Sequence, residues 1–340
     1  MKNIMSVVKS NIYISRLVGL LAIWMIFMAI FQFDRFYTVI SFQIMAAQFP
    51  EFGLMAMGVM LCMITGGIDL SVVGVANFTS IVVAFLIREM ALASGMLPGY
   101  GIVLAIVVGI IIGALCGAFN GFLISKVKIP PILATLGTFE LFTGIAIVFT
   151  EGRAVAGLPL EYSQVMAGRL FGVIPMQLVT FTVVAIALYF LLSRTTYGTK
   201  IYMLGTNKDA AKFSGLKTDG LLIKTYTLSG ICAAIGGLTM LANYNTARAD
   251  FGLVYTLQCV LIVVLGGVNP VGGKGSLGGV ILAIVVLQML SSGLNRIPYI
   301  NSFFIPLIWG GILVLVMVLN HFTENKKIKV KIAEKAAEGA

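Results

Sequence analysis

The stretch Gly101-Ile-Val-Leu-Ala-Ile-Val-Val-Gly-Ile-Ile-Ile-Gly-Ala-Leu-Cys-Gly-Ala-Phe-Asn-Gly-Phe-Leu-Ile124 runs for 24 residues without a charged side chain. As a helix rising 1.5 Å per residue it measures about 36 Å, enough to cross a hydrocarbon layer of about 30 Å. Runs of similar character recur along the chain. The composition agrees, with 59% hydrophobic and 11% charged residues in 340, where soluble domains carry about 45–50% and 25%. A soluble fold of this length has too little interior to hide that apolar surface, so the bilayer is the solvent. In lipid every backbone amide needs an internal partner, which leaves helices or closed barrels. Barrel strands alternate in character over about 10 residues, and these runs do not alternate. The fold class is therefore all-α, a polytopic membrane helical bundle.

Breaks at charges, prolines and glycines predict about ten spans: 17–33, 45–65, 72–91, 101–124, 131–149, 173–192, 222–243, 253–268, 276–295 and 302–320. The first run is full length and leads into Gln32-Phe-Asp-Arg-Phe36, so it reads as a membrane helix and not as a cleaved signal. Between Ile44 and Leu92, Pro50, Glu51 and Gly66-Gly67 interrupt a long apolar stretch, which reads as two helices or as a helix with a re-entrant piece. Cytoplasmic loops carry the excess of Lys and Arg. With the amino terminus inside, 17 of the 23 basic residues fall on the cytoplasmic side, including Lys126, Lys128, Lys208, Lys212 and the tail lysines. Arg35, Arg88, Arg153, Arg169, Arg248 and Arg296 fall outside. The expected organisation is a cytoplasmic segment 1–16, a transmembrane domain 17–320 with a cytoplasmic loop 193–224, and a basic cytoplasmic tail 321–340. The net charge of +10 is then a topology signal that needs no nucleic-acid partner.

Cys62, Cys116, Cys232 and Cys259 lie in apolar runs and read as small buried residues, with no metal or cofactor site implied. Gly109, Gly113, Gly117 and Gly121 recur every fourth residue, a pattern that lets a neighbouring helix approach closely. Gly230, Gly236 and Gly237 suggest the same.

Three stretches carry further information. In Met63-Ile-Thr-Gly-Gly-Ile-Asp-Leu-Ser71, paired glycines stop a helix and Asp69 or Ser71 can cap the next. A direct role for Asp69 in transport or subunit contact stands beside that structural one. The segment Val264-Leu-Gly-Gly-Val-Asn-Pro-Val-Gly-Gly-Lys-Gly-Ser-Leu-Gly-Gly279 repeats the design about 200 residues later, as an internal duplication would. It fails the phosphate-loop pattern, because Lys274 is followed by Gly275 and Val268 stands where the first glycine belongs. The chain is therefore expected not to hydrolyse ATP. The third stretch, Leu204-Gly-Thr-Asn-Lys-Asp-Ala-Ala-Lys-Phe-Ser-Gly-Leu216, lies in the longest cytoplasmic loop. Asn207 can cap a short helix whose Ala210, Ala211, Phe213 and Leu216 give it a small, apolar side, and Gly215 can end it. It reads either as an ordinary turn or as the lever on which a soluble motor pushes.

Together with Lys128-Ile-Pro-Pro-Ile-Leu-Ala-Thr-Leu-Gly-Thr138, these motifs come in the order seen in the permeases of ribose and galactose type ABC importers, and residues 15–320 resemble that family. The resemblance implies a permease dimer, formed with a second copy or a paralogue, in the bacterial inner membrane. It also implies an ATP-binding cassette subunit docked inside at Gly205, Asn207, Ala210, Ala211, Phe213, Gly215 and Leu216, and an extracytoplasmic solute-binding protein outside. Where the family usually continues Asp-Leu-Ser-Val-Gly-Ser, this chain has Val73 and Gly74 after Val72, and an Arg-Gly pair of the family is replaced by Thr143-Gly144 with Glu140 three residues earlier. The polar path for a sugar or sugar-like solute draws its candidates from Asp69, Asn77, Asn120, Thr135, Thr138, Glu140, Asn243, Gln258, Gln288 and Asn295. The alternative is an ion-coupled secondary transporter using Glu51, Asp69 and Glu140, but these acids are scattered and have no intramembrane Lys or His. No nucleophile with a base and no metal-spaced set of ligands points to an enzyme.

Overall fold

The computed structural model describes residues 12–297 and, beyond them, 304, 307, 308, 310, 311, 314 and 318. The expected tenth span lies outside the described residues except for those seven, which are helical. The tail 321–340 and residues 1–11 also lie outside them.

The helices are α1 (Ile12–Phe31), α2 (Phe33–Phe36), α3 (Val39–Ile64), α4 (Val72–Ser94), α5 (Gly99–Phe122, continued by a π-helical turn Leu123–Val127), α6 (Pro131–Thr150), α7 (Leu160–Met166), α8 (Met176–Arg194), α9 (Thr196–Thr206), α10 (Lys208–Phe213), α11 (Thr218–Tyr244), α12 (Tyr255–Leu265) and α13 (Leu277–Leu294). A two-residue hairpin, β1 (Arg169–Leu170) with β2 (Ile174–Pro175), is the sole sheet among the described residues. Eight of the described helices are long and apolar enough to cross a membrane. The chain is a multi-pass helical membrane bundle.

Several boundaries differ from the sequence reading, α1 and α11 beginning five and four residues early, and two of the differences have a clear cause. α3 begins at Val39, because Thr38 caps it by accepting from the Ser41 amide at 3.1 Å, and it runs unbroken through Pro50. The interrupted stretch is thus two helices, α3 and α4. The eighth expected span shrinks to the 11 residues of α12, about 16 Å long and half of a crossing. Its ends are set by Gly252, at φ 61°, and by the Gly266-Gly267 turn.

The centre of the bundle is α3 and α11. Every residue from Phe49 to Ile64 is buried. On α11 the three expected glycines each receive a different neighbour: Gly230 lies against Gly113 and Gly117 of α5, Gly236 against the Glu51 carbonyl of α3, and Gly237 against Ala76 of α4. In return, a Cβ at Gly121 would stand 2.6 Å from Ile223 Cα. With no hydrophobic drive between helices in lipid, this close backbone approach is what holds them. All four cysteines are free and buried.

The connections fall on two faces. On one, the Ile64–Ser71 turn, the Lys126–Pro130 bend, α9 and α10, and the Gly266–Ser276 turn touch each other. Lys126 and Lys128 both pair there with Asp219, at 3.2 and 3.0 Å. On the other, Val155 bridges Ala247, Tyr162 Oη donates to the Leu238 carbonyl, and Asn77 donates to the carbonyls of Ala249 and Phe251 at 2.9 and 2.8 Å.

Candidate functional site

At the first glycine turn, Asp69 is buried, with its Oδ1 accepting from the Ser71 amide at 3.0 Å and the Ser71 hydroxyl at 2.6 Å. Its Oδ2 accepts from Ser229 of α11 at 2.7 Å. Asn120 of α5 donates to Ser71 Oγ at 2.7 Å, and Thr135 of α6 donates to the Ile68 carbonyl at 3.1 Å. Asp69, Asn120 and Thr135 therefore form one network that fixes the start of α4 against α5, α6 and α11. The carboxylate sits next to a helix amino terminus, where partial positive charge favours it.

A second network surrounds Glu51, the thirteenth residue of α3. Asn243 Nδ2 donates to Glu51 Oε1 at 2.5 Å and to the Ala47 carbonyl at 3.1 Å, while Tyr244 and Tyr255 reach Oε2 at 3.3 and 3.5 Å. Gln177 of α8 donates to Asn243 Oδ1 at 2.5 Å. Of these five residues only Asn243 is among the path candidates. The others, like Ser71 and Ser229, had one visible signal, a polar residue inside an apolar run.

The remaining candidates scatter. Asn77 ties α4 to the 245–254 connection, Gln288 donates to Gln48 at 3.1 Å, Thr138 donates back to the Thr135 carbonyl, Gln258 is buried in α12, and Asn295 is exposed at the end of α13. Glu140 is different. It is the tenth of the 20 residues of α6, it is exposed, and no ion pair among the described residues includes it. With Leu141, Gly144, Ile145, Val148 and Phe149 it lines an open concavity of about 400 Å³.

The loop between α8 and α11 is anchored at its base and free at its tip. A Cβ on Gly205 would stand 2.5 Å from Gly273 N and closer still to the Ile64 carbonyl oxygen, so only glycine fits there. Gly273 N–H donates to that same carbonyl at 2.9 Å. Tyr202 Oη donates to the Gly275 carbonyl at 3.0 Å. The two glycine turns that look like a duplication in the sequence thus meet, with α9 wedged against both. Asn207 caps α10 as expected, accepting from the Ala210 amide at 2.9 Å. Gly215 ends the segment at φ 79°. Ala211, expected in the set that docks an ATP-binding subunit, is 3% exposed and packs with Leu204, Leu221 and Leu222 of its own chain. The helix sits flush on the bundle, with one of its two alanines, Ala211, facing in and the other, Ala210, exposed. Phe213 takes the outward place, at 92% exposed.

The described residues form a helical membrane bundle cross-linked inside by polar side chains, with an anchored loop on one face, and the comparisons with known proteins make it a transport permease. The chain belongs to the family described as branched-chain amino acid transport system / permease component, which matches residues 41–320. It is 38% identical over 268 residues to the ribose import permease protein RbsC of Bacillus subtilis (strain 168), covering 78% of this chain and 80% of that one. It is 32% identical over 270 residues to the autoinducer 2 import system permease protein LsrC of Escherichia coli (strain SMS-3-5 / SECEC), covering 78% and 75%. LsrC of Yersinia enterocolitica (strain NCTC 13174 / 8081) is 30% identical over 301 residues, covering 87% and 81%. No solved structure matches the chain. Membership makes this a transport subunit and not an enzyme, and it removes the ion-coupled alternative.

Proposed function

We propose that the chain is the membrane permease subunit of an ATP-driven importer of a sugar or sugar-like solute, working in the bacterial inner membrane as a dimer with a second copy or a paralogue. An ATP-binding cassette subunit docks at α9–α10, and a solute-binding protein delivers from the opposite face. The relatives named for ribose and autoinducer 2 import support the solute class. The observation that carries the docking assignment is the construction of the loop. Its base is locked onto the two glycine turns, and its tip presents one bare aromatic on the face richest in lysine. An aromatic knob on a rigid stem is the kind of residue that dominates interface energies.

The path is assigned to the outward face of α6. Most other polar candidates spend their hydrogen bonds inside the chain, whereas Glu140 points out of it at mid-membrane. A carboxylate facing lipid at a helix centre costs about 3 kcal/mol or more. Water in a path between two permease subunits removes that cost. A Cβ built on Gly137 or Gly144, on the same face, would meet no other part of the described chain within 4 Å, which leaves room for a solute.

Replacing Phe213 with Asp tests the docking assignment. Uptake and co-purification of the ATP-binding partner should fall about thirtyfold, the size of a 2 kcal/mol hot spot, with membrane insertion and melting temperature unchanged. Normal uptake together with normal recovery of the partner would overturn it.

A further inference from the structure

We infer that Glu140 makes the translocation path selective by charge, so that it passes neutral or aminated polyhydroxy solutes and retards anionic ones such as phosphorylated sugars and sugar acids. This rests on the assignment of the path to α6 and adds the substrate class to it.

The argument begins with position. Glu140 has nine residues before it and ten after it in α6, which puts it about 14–15 Å from either end of the helix, at the depth where a passing solute has lost most of its contact with bulk water. Its neighbours on the concave face, Leu141, Gly144, Ile145, Val148 and Phe149, are uncharged, so among the described residues lining the concavity the carboxylate sets the sign of the local potential. Low-dielectric walls concentrate the field of a single charge along such a face. Two permease subunits related by symmetry would present two such carboxylates to one path. Hydroxyl groups and ammonium groups donate to a carboxylate, whereas phosphate and carboxylate groups are repelled by it.

The two buried carboxylates of the bundle do not compete for this role. Glu51 and Asp69 are each 1% exposed and already accept three hydrogen bonds apiece from their own chain. Arg88 and Glu89, near the end of α4, pair with each other at 3.8 Å.

The test places a thiol one residue away. Leu141 is 48% exposed on the same face, and the four native cysteines are buried, so Leu141→Cys supplies the reactive site in the full chain in membrane vesicles. Its rates with a cationic and an anionic methanethiosulfonate of equal size are measured, each normalised to the reagent's rate with a free small thiol. At about 6 Å in water-like surroundings one charge speeds one sign and slows the other by about threefold each. The cationic reagent should therefore lead by about tenfold, and adding Glu140→Gln should bring the ratio to about one. If both reagents label the thiol but Glu140→Gln leaves the ratio unchanged, charge selection by Glu140 is overturned and the path assignment stands. If neither labels it in vesicles while both do after denaturation, the face is not wet and the path assignment itself falls.

Discussion

Helices α3 and α6 each carry a glutamate near the midpoint of a membrane crossing, and the two side chains meet opposite surroundings. Glu51 stands in the most enclosed helix of the bundle, where Asn243, Tyr244 and Tyr255 converge on it from α11 and α12. Glu140 stands on a helix that buries little of its surface, and its carboxylate points away from the chain. The same chemical group is structural in one place and unspent in the other. A buried polar group that has its partners holds helices in register, while one left without them at mid-membrane is there for something outside the chain. If that contrast is real, substitutions around Glu51 act on stability and substitutions around Glu140 act on transport.

The largest expected effect comes from stripping Glu51 of its strongest donor. Asn243→Leu removes the hydrogen bonds to Glu51 Oε1 and the Ala47 carbonyl and leaves Gln177 unmatched. Leaving a buried polar group without its partner costs about 1–3 kcal/mol, so the detergent-solubilised protein should unfold at clearly lower temperature or denaturant. Unchanged stability would show that the Glu51 network does not hold α3, α8 and α11 together.

A paired glycine experiment comes next. On α3, a Cβ at Gly58 would lie 2.9 Å from both the carbonyl and the hydroxyl oxygen of Ser229, so Gly58→Ala forces α3 from α11 and should cost about 1–3 kcal/mol. On α6, a Cβ at Gly144 would meet none of the described residues within 4 Å, and Gly144→Ala should leave stability within about 0.5 kcal/mol. Equal losses in unfolding measurements would mean that α6 is as enclosed as α3, and the contrast between the two helices would fail.

How far the sequence displays this contrast differs between fold and site. The helices show through because a membrane crossing needs a run of fixed length, and α4, α6 and α13 fall within a few residues of the spans read from the sequence. The start of α3 was hidden, since Thr38 and Ser41 look like loop residues until one sees them cap the helix. The shortness of α12 was hidden because Val268 continues the apolar run past the glycine pair. That Asp69 and Ser71 stand at the start of α4 could be read from Gly66 to Ser71, a local pattern, but neither side chain caps the helix: Asp69 accepts from the amide of Ser71 itself. Its partner Ser229 lies 160 residues away, and no spacing rule connects them. The inward turn of Ala211 and the outward turn of Phe213 are likewise set by where α10 lands on α11, a tertiary choice that a six-residue helix does not reveal by period.

The smallest structural effect and the most informative one is Glu140→Gln. Glutamine has nearly the same shape, keeps an acceptor oxygen, and loses only the charge. Around Glu51 that change would swap an acceptor that three donors approach for a group that is half donor, so Glu51→Gln should lower stability. Among the described residues no donor is set against the Glu140 carboxylate, and the melting temperature of the purified protein should not move. If α6 faced lipid, removing the charge would relieve a cost and the variant should melt higher than the parent. If α6 faces water, the melting temperature holds and the change appears in uptake, as weaker preference for neutral or cationic over anionic solutes. A rise in stability with transport unaltered would place Glu140 in lipid and end the distinction between the two carboxylates. Stability unmoved with altered solute preference would assign Glu140 to what passes through the bundle and leave Glu51 to what holds it together.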